Sequence, residues 1–168
     1  MQPNTDVEQL IAKMAEDIQD KFLQSEQDEV LMIGIHTGGV WVAQRLHQLL
    51  KISQPLGALD ISFYRDDFSR IGMNPQVKPS KLPVSVDNKH ILLVDDILHT
   101  GRTIRAAMNE LFDYGRPASI RLIVLGERSG RELPIQADVV GQHMSLGPHE
   151  HVKLNGPEQL SLTVTTTV

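Results

Sequence analysis

The chain has 168 residues, 40% of them hydrophobic and 22% charged, with only 12 Gly and 9 Pro, which is the make-up of a folded globular protein rather than a disordered, collagenous or repetitive one. With no Cys at all, disulfide scaffolds, thiolate zinc sites, iron–sulfur clusters and cysteine nucleophiles are excluded together. The formal charge of −5 gathers at one end: residues 1–29 hold eight acids and two bases, the remainder thirteen acids and fourteen bases, a balance ill suited to a phosphate backbone as main partner.

In chain order, Val7, Leu10, Ile11, Met14 and Ile18 recur at helical spacing behind a Thr5/Glu8 capping box, which predicts an amphipathic helix with an acidic outer face. VLMIGI over Val30–Ile35 is a continuous apolar run ending in the Gly-rich turn HTGG, the pattern of a strand buried on both faces. A helix follows through Val40, Trp41, Ala43, Leu46, Leu49 and Leu50, with Trp41 read as core, and then a strand from Leu59 to Tyr64. From residue 65 to 88 periodicity breaks down and Pro and charge intervene, which predicts a long functional loop. HILLV predicts the next strand, followed by the turn DDILHTGRT, a helix from about Thr103 to Tyr114 with Gly115 as C-cap, and a strand over Ser119–Leu125. Short strands follow near Val139–Val140 and Val152–Leu154, and the alternating tail LSLTVTTTV adds an edge strand.

This order describes a single α/β domain over residues 1–168 with a mostly parallel central sheet flanked by helices. No apolar run approaches the roughly 18 residues of a membrane span, and MQPNTDVEQL lacks the basic start and apolar core of a signal peptide, so a cytoplasmic location without membrane contact is expected.

The chemistry concentrates in ILLVDDILHTGRT. Two adjacent carboxylates, Asp95 and Asp96, leave a buried strand, and Thr100, Gly101, Arg102 and Thr103 open a helix. A glycine admits close backbone approach, hydroxyls donate hydrogen bonds, and free amides at a helix start favour an anion, so this half reads as a phosphate cradle. Carboxylates beside such a cradle have another task, and accepting hydrogen bonds from the vicinal hydroxyls of a sugar is the natural one. Together these groups describe a ribose 5-phosphate pocket.

The joined pattern resembles the phosphoribosyl diphosphate (PRPP) signature of type I phosphoribosyltransferases. With YRDDFSR (Tyr64–Arg70), GRPASIRL and RSGRELPI (Arg128–Ile135), the chain resembles the PyrR family over roughly Asp6 to Leu154. That resemblance implies the type I phosphoribosyltransferase fold with a small hood, built from about 126–168 and the N-terminal region, and a flexible loop at about 65–88 that closes on substrate. It implies uracil phosphoribosyltransferase activity making UMP and pyrophosphate, Mg2+ carried mainly by PRPP, a role in regulating pyrimidine genes, and a dimer or higher homo-oligomer.

By position, Asp95 and Asp96 would hold the ribose hydroxyls, Thr100 to Thr103 the 5-phosphate, and His36, Thr37, Gly38 and Gly39 the pyrophosphate. Arg65 would stand at the base of the closing loop, and Arg128 and Arg131 on the hood or base side. The chain departs from the pattern at His36 and Gly38, where relatives carry a basic residue and an Arg, and at His99, where a Tyr is common and where a tolerated exposed residue is expected. Positions that are basic in RNA-binding relatives read Glu8, Gln9, Gln136 and Gln142, with only Lys13 and Arg131 keeping a charge. Weak RNA binding is expected, and regulation through a protein partner becomes an alternative. Two further readings stand beside the enzyme: a PRPP or UMP sensor with decayed catalysis, and a purine phosphoribosyltransferase. His143, His149 and His151 are read as a solvated loop rather than a metal site.

Overall fold

The computed structural model describes residues 5–24, 29–61 and 80–168. Helix α1 (Val7–Phe22) is followed by β1 (Val30–Ile35), α2 (Gly38–Leu50), β2 (Gly57–Leu59), β3 (His90–Leu98), α3 (Arg102–Tyr114), β4 (Ser119–Arg128), β5 (Val139–Met144), β6 (Glu150–Asn155) and β7 (Ser161–Thr166). Strands β2, β1, β3, β4 and β5 form, in that order, a five-stranded sheet in which every pairing is parallel. None of the helices of the described residues is long and apolar enough to cross a membrane.

The apolar runs explain this sheet. Successive side chains of a strand point to opposite faces, so a strand covered on both sides must be apolar at every position. In β1, Val30 and Met32 join α1 and α2 in one core, while Leu31, Ile33 and Ile35 join α3 in the other. The same alternation sends Leu92 and Val94 of β3 one way and Ile91 and Leu93 the other. Leu93 is fully buried. Leu93→Ala is therefore expected to cost about 2–5 kcal/mol, read as a lower midpoint in urea unfolding.

Several expectations shift. Helix α1 is capped by Asp6 rather than Thr5: the Gln9 amide donates to Asp6 Oδ1 at 3.2 Å, an acceptor one residue closer to the first turn. Gly115 ends α3 as predicted, but in extended rather than left-handed backbone. Its lack of a side chain matters for space, since the Asp87 carboxylate occupies the Cβ direction and accepts from the Arg116 amide at 2.7 Å.

The strand predicted from Leu59 to Tyr64 is Gly57–Leu59, and residues 62–64 lie outside those described. Of the loop predicted at 65–88, the described part from Ser80 onward holds no helix or named strand before His90 but is pinned: Ala58 and Lys81 exchange two backbone hydrogen bonds of 2.8 Å, and Val86 is buried in the α3-side core. Its portion 65–79, Arg65 included, lies outside the described residues. The tail does not extend the main sheet either. It folds back antiparallel on β6 as a separate two-stranded ribbon. Leu154 and Leu160 pin that ribbon to the α1/α2 core, where partly buried Trp41 packs, and Arg45 donates to the carbonyls of Pro157 and Glu158.

Candidate functional site at the carboxyl ends of the strands

In an open parallel sheet the carboxyl ends of the strands share one edge, and ligands bind beyond it. The register makes that edge stepped. β1 pairs with β3 only as far as Gly34 opposite Val94, whereas β3 continues beside β4 to Leu98 opposite Glu127. Asp95 and Asp96 thus do not leave the sheet, as the sequence suggests. They stand on the stretch of β3 that β1 has already abandoned, which opens their side to the β1–α2 turn.

That turn closes down on them. A side chain added at Gly39 would bring Cβ to 2.7 Å from the Val94 carbonyl and 3.0 Å from Asp95 Cα, so glycine is needed for the turn to pass over β3. At Gly38 the Cβ direction is filled by the Asp96 carboxylate. The position at which the resemblance implies an Arg therefore holds a glycine lying directly against an acid. His36 donates its amide to the Leu59 carbonyl at 2.9 Å, Thr37 is the N-cap of α2, and the peptide bond between them is cis.

The two carboxylates differ in setting. Asp95 is 5% exposed, and its Oδ1 accepts from the Asp96 amide at 2.9 Å. Asp96 is partly exposed, and its Oδ1 accepts from the Ile97 amide at 2.7 Å. Asp96 is the acid that a ligand above the edge can reach.

Beyond β3, Gly101 has φ of +96°, the left-handed region in which a side chain is strained, and it lies against Leu133 and Ile135. This kink turns the chain into α3. Thr100 Oγ1 accepts from the Arg102 amide at 3.1 Å, and the Thr100 carbonyl accepts from the amides of both Glu132 and Leu133 at 3.0 Å. Arg102 turns aside to Glu132, Nε to Oε1 3.1 Å. The segment RELPI also buttresses the turn that opens α3.

Thr100, Gly101 and Thr103 line a cleft of about 280 Å³ shared with His99, Arg128 and His151. Arg102 is not in its wall. Arg128 is 9% exposed and spends its guanidinium on backbone, Nη1 donating to the Glu150 carbonyl at 2.9 Å and Nη2 to that of Gly147 at 3.4 Å. It ties the β6–β7 ribbon to the end of β4. Arg131 lies in a neighbouring depression, paired with Glu127, whose other oxygen is 3.0 Å from His143 Nδ1. His99, read from sequence as a tolerated exposed residue, is exposed and stands at the rim of this cleft. Burial and the positive charge of Arg128 hold its imidazole below the usual histidine pKa.

A buried acid escaped the sequence reading. Glu110 of α3 is 7% exposed; its Oε1 accepts from Ser80 Oγ at 2.6 Å, and the same hydroxyl accepts from the Asp60 amide at 3.0 Å. Glu110 Oε2 is buried without a partner. Desolvation first, with Asp60 and Asp113 adding, pushes this carboxyl above its ordinary value, although the Ser80 bond opposes the shift. A raised folded pKa means that the stability contribution is complete in acid and is lost as pH rises through it. Glu110→Gln is therefore expected to raise the melting temperature at neutral pH, with the gain vanishing as pH falls below the ordinary carboxylate range. A gain that persists in acid would show that ionisation is not its cause.

Comparison with known proteins agrees with the geometry. The family model of the phosphoribosyl transferase domain matches residues 2–152. The bifunctional protein PyrR of Nitrosococcus oceani is 58% identical over 160 residues, covering 94% of this chain and 90% of that protein. The PyrR of Pseudomonas paraeruginosa is 54% identical over 154 residues, covering 92% and 91%. Among solved structures, a hypoxanthine phosphoribosyltransferase from Staphylococcus aureus superposes with a TM-score of 0.66 over 88% of this chain and 76% of that one, at 21% identity. A hypoxanthine-guanine phosphoribosyltransferase from Bacillus anthracis gives 0.67 over 89% and 86%, at 18% identity. At such identities the structures speak for the fold, and the sequences carry the family. A stepped parallel sheet with an acid pair facing a glycine turn, and relatives this similar over nearly their whole length, place the chain in the phosphoribosyltransferase family and, within it, among the PyrR proteins.

Proposed function

We propose that this chain is a uracil phosphoribosyltransferase that also serves a PyrR-type regulatory role. The observation that carries the reading is the meeting of three parts at one sheet edge: Asp95 and Asp96, the Gly38–Gly39 turn lying on them, and the kinked turn from Thr100 to Thr103. In this reading the backbone amides and hydroxyls of Thr100–Thr103 hold the 5-phosphate, where the positive end of α3 favours an anion. Asp96, with Asp95 behind it, accepts from the ribose hydroxyls, and His36 to Gly39 offer backbone groups to the pyrophosphate. Uracil N1 bonds to C1 of the ribose as the bond from C1 to the pyrophosphate oxygen breaks; N1 loses its proton and pyrophosphate leaves with the electron pair. Carboxylates close to C1 stabilise the positive charge that gathers there.

The donors fit Mg2+, a hard cation satisfied by one or two carboxylates together with substrate phosphates and water. In this reading the ion would arrive with PRPP and meet Asp95 and Asp96 there. It would neutralise charge on the leaving pyrophosphate. The reading also includes one phosphoribosyltransferase domain over 1–168, Arg65 and the loop around it closing over substrate, a cytoplasmic location, and assembly with copies of the same chain.

The test is conversion of labelled uracil with PRPP and Mg2+, alongside a panel of purine bases. UMP formation supports the proposal, whereas turnover of a purine alone replaces it with the sibling activity. Gly38, where the resemblance implies an Arg, favours a second reading as a sensor, which predicts tight UMP binding by calorimetry with no turnover.

Regulation is expected to run without tight RNA contact. Glu8 pairs with Arg45 at 3.5 Å, and Arg131, one of two cations kept on the RNA-facing positions, is already held by Glu127. Each missing phosphate contact also removes part of the salt-dependent attraction. In filter binding at moderate salt, a pyrimidine leader RNA should bind weakly and insensitively to UMP; UMP-enhanced, nanomolar affinity would overturn this.

A further inference from the structure

We propose that Glu110 is a positioning residue: it latches the chain leaving β2 to helix α3, and loss of its proton loosens that chain and, through it, the β1–α2 turn. The inference rests on the phosphoribosyl-transfer reading, in which that turn meets the pyrophosphate.

The latch joins groups from distant parts of the sequence. Glu110 belongs to α3, the helix that opens behind the phosphate turn, and its Oε1 accepts from Ser80 Oγ at 2.6 Å. The same oxygen of Ser80 accepts from the Asp60 amide at 3.0 Å. One residue earlier, the Leu59 carbonyl accepts from the His36 amide at 2.9 Å, and His36 leads into the turn that lies on Asp95 and Asp96. One side chain thus links the helix of the 5-phosphate turn to the strand end that holds the other turn.

An acid is a costly choice for this position. Glu110 is buried, and its Oε2 has no hydrogen-bond partner. Protonated, the group hides only a neutral carboxyl and still accepts from Ser80. Ionised, it holds a charge that among the described residues is felt most by Asp60 and Asp113, both acids, while Lys81, beside Ser80 in the chain, is exposed. Water relieves that charge only where Ser80 and the end of β2 move aside. A proton therefore favours the latched arrangement. Because burial first, then Asp60 and Asp113, raise the carboxyl's pKa while latched, the released share grows as pH climbs out of the ordinary carboxylate range and levels off above the raised value.

The experiment reads the latch and the ligand separately. Amide hydrogen exchange over residues 58–61 and 80–86, corrected for the intrinsic effect of pH, is followed in wild type, Glu110→Gln and Ser80→Ala. From acid to mildly alkaline pH, exchange in wild type is expected to quicken about fivefold, the worth of one hydrogen bond. Glu110→Gln, which keeps an acceptor for Ser80 and carries no charge, should stay slow throughout, and Ser80→Ala should be fast throughout. PRPP and ribose 5-phosphate, each with Mg2+, are then titrated calorimetrically over the same pH range. Relative to Glu110→Gln, wild type should lose about fivefold in PRPP affinity as pH rises, with ribose 5-phosphate held within about twofold. Glu110→Gln following the wild-type pH course in exchange or in PRPP binding overturns the inference, as does equal loss for both ligands or slow exchange in Ser80→Ala. If wild type binds no PRPP at any pH, the phosphoribosyl-transfer reading fails by itself, and the exchange measurement still decides for or against the latch.

Discussion

Asp96→Asn is expected to lower uracil turnover by about 10²–10³-fold, the loss seen when one preorganised electrostatic group is removed from a developing charge. The substitution keeps shape and volume, so the Gly38 backbone still packs on the side chain and the Ile97 amide still finds an acceptor. In the proposed reaction, what disappears is a negative charge beside the ribose, where C1 becomes positive as pyrophosphate departs. Asp95→Asn is the less clean experiment, because Asp95 is buried and its carboxylate accepts the Asp96 amide. Steady-state kinetics with a thermal melt separate chemistry from folding. Turnover within about threefold of wild type at an unchanged melting temperature would remove Asp96 from the reaction.

Gly39→Val should be the most damaging glycine substitution in the turn. Its Cβ would meet the Val94 carbonyl and Asp95 Cα, both backbone of the central strand, Val94 paired with β1 and β4 and Asp95 with β4, which leaves little room to yield. Overpacking of this kind costs about 1–3 kcal/mol or more, and each kcal/mol lowers the melting temperature of a chain this size by roughly 2–4 °C. The β1–α2 turn would also lift away from the acid pair, so PRPP affinity should fall together with stability. Gly147→Ala is the matched control, because its Cβ would sit at an ordinary 3.5 Å from Glu150 Oε2. An unchanged melt and unchanged PRPP binding for Gly39→Val would mean that the turn does not rest on β3 as described.

The elements and the family were legible in the linear chain because both are written in short-range pattern. VLMIGI and HILLV announce strands covered on two faces, and they are the central β1 and β3 of the sheet. The acid pair followed by T-G-x-T lies within a few residues, so its kinship could be read without coordinates. Local pattern reaches no further than the residues that compose it, and everything that depends on register or on distant packing was decided by the tertiary structure. Nothing in the spacing of DDILHT says that the pairing of β1 with β3 ends at Gly34 opposite Val94 and leaves Asp95 and Asp96 facing the glycine turn, since that follows from how two strands pair. That RELPI braces the turn that opens α3, through the Glu132 and Leu133 amides on the Thr100 carbonyl, could not be read locally, since the contact spans about thirty positions. Arg128 lines the cleft, yet its guanidinium is held by the Glu150 and Gly147 carbonyls, partners about twenty positions away. Glu110 looked like one more helical acid because Ser80 and Asp60 reach it only after the chain has closed. Composition and periodicity record what each residue prefers; burial, pKa and the direction of a side chain belong to neighbours that only folding brings together.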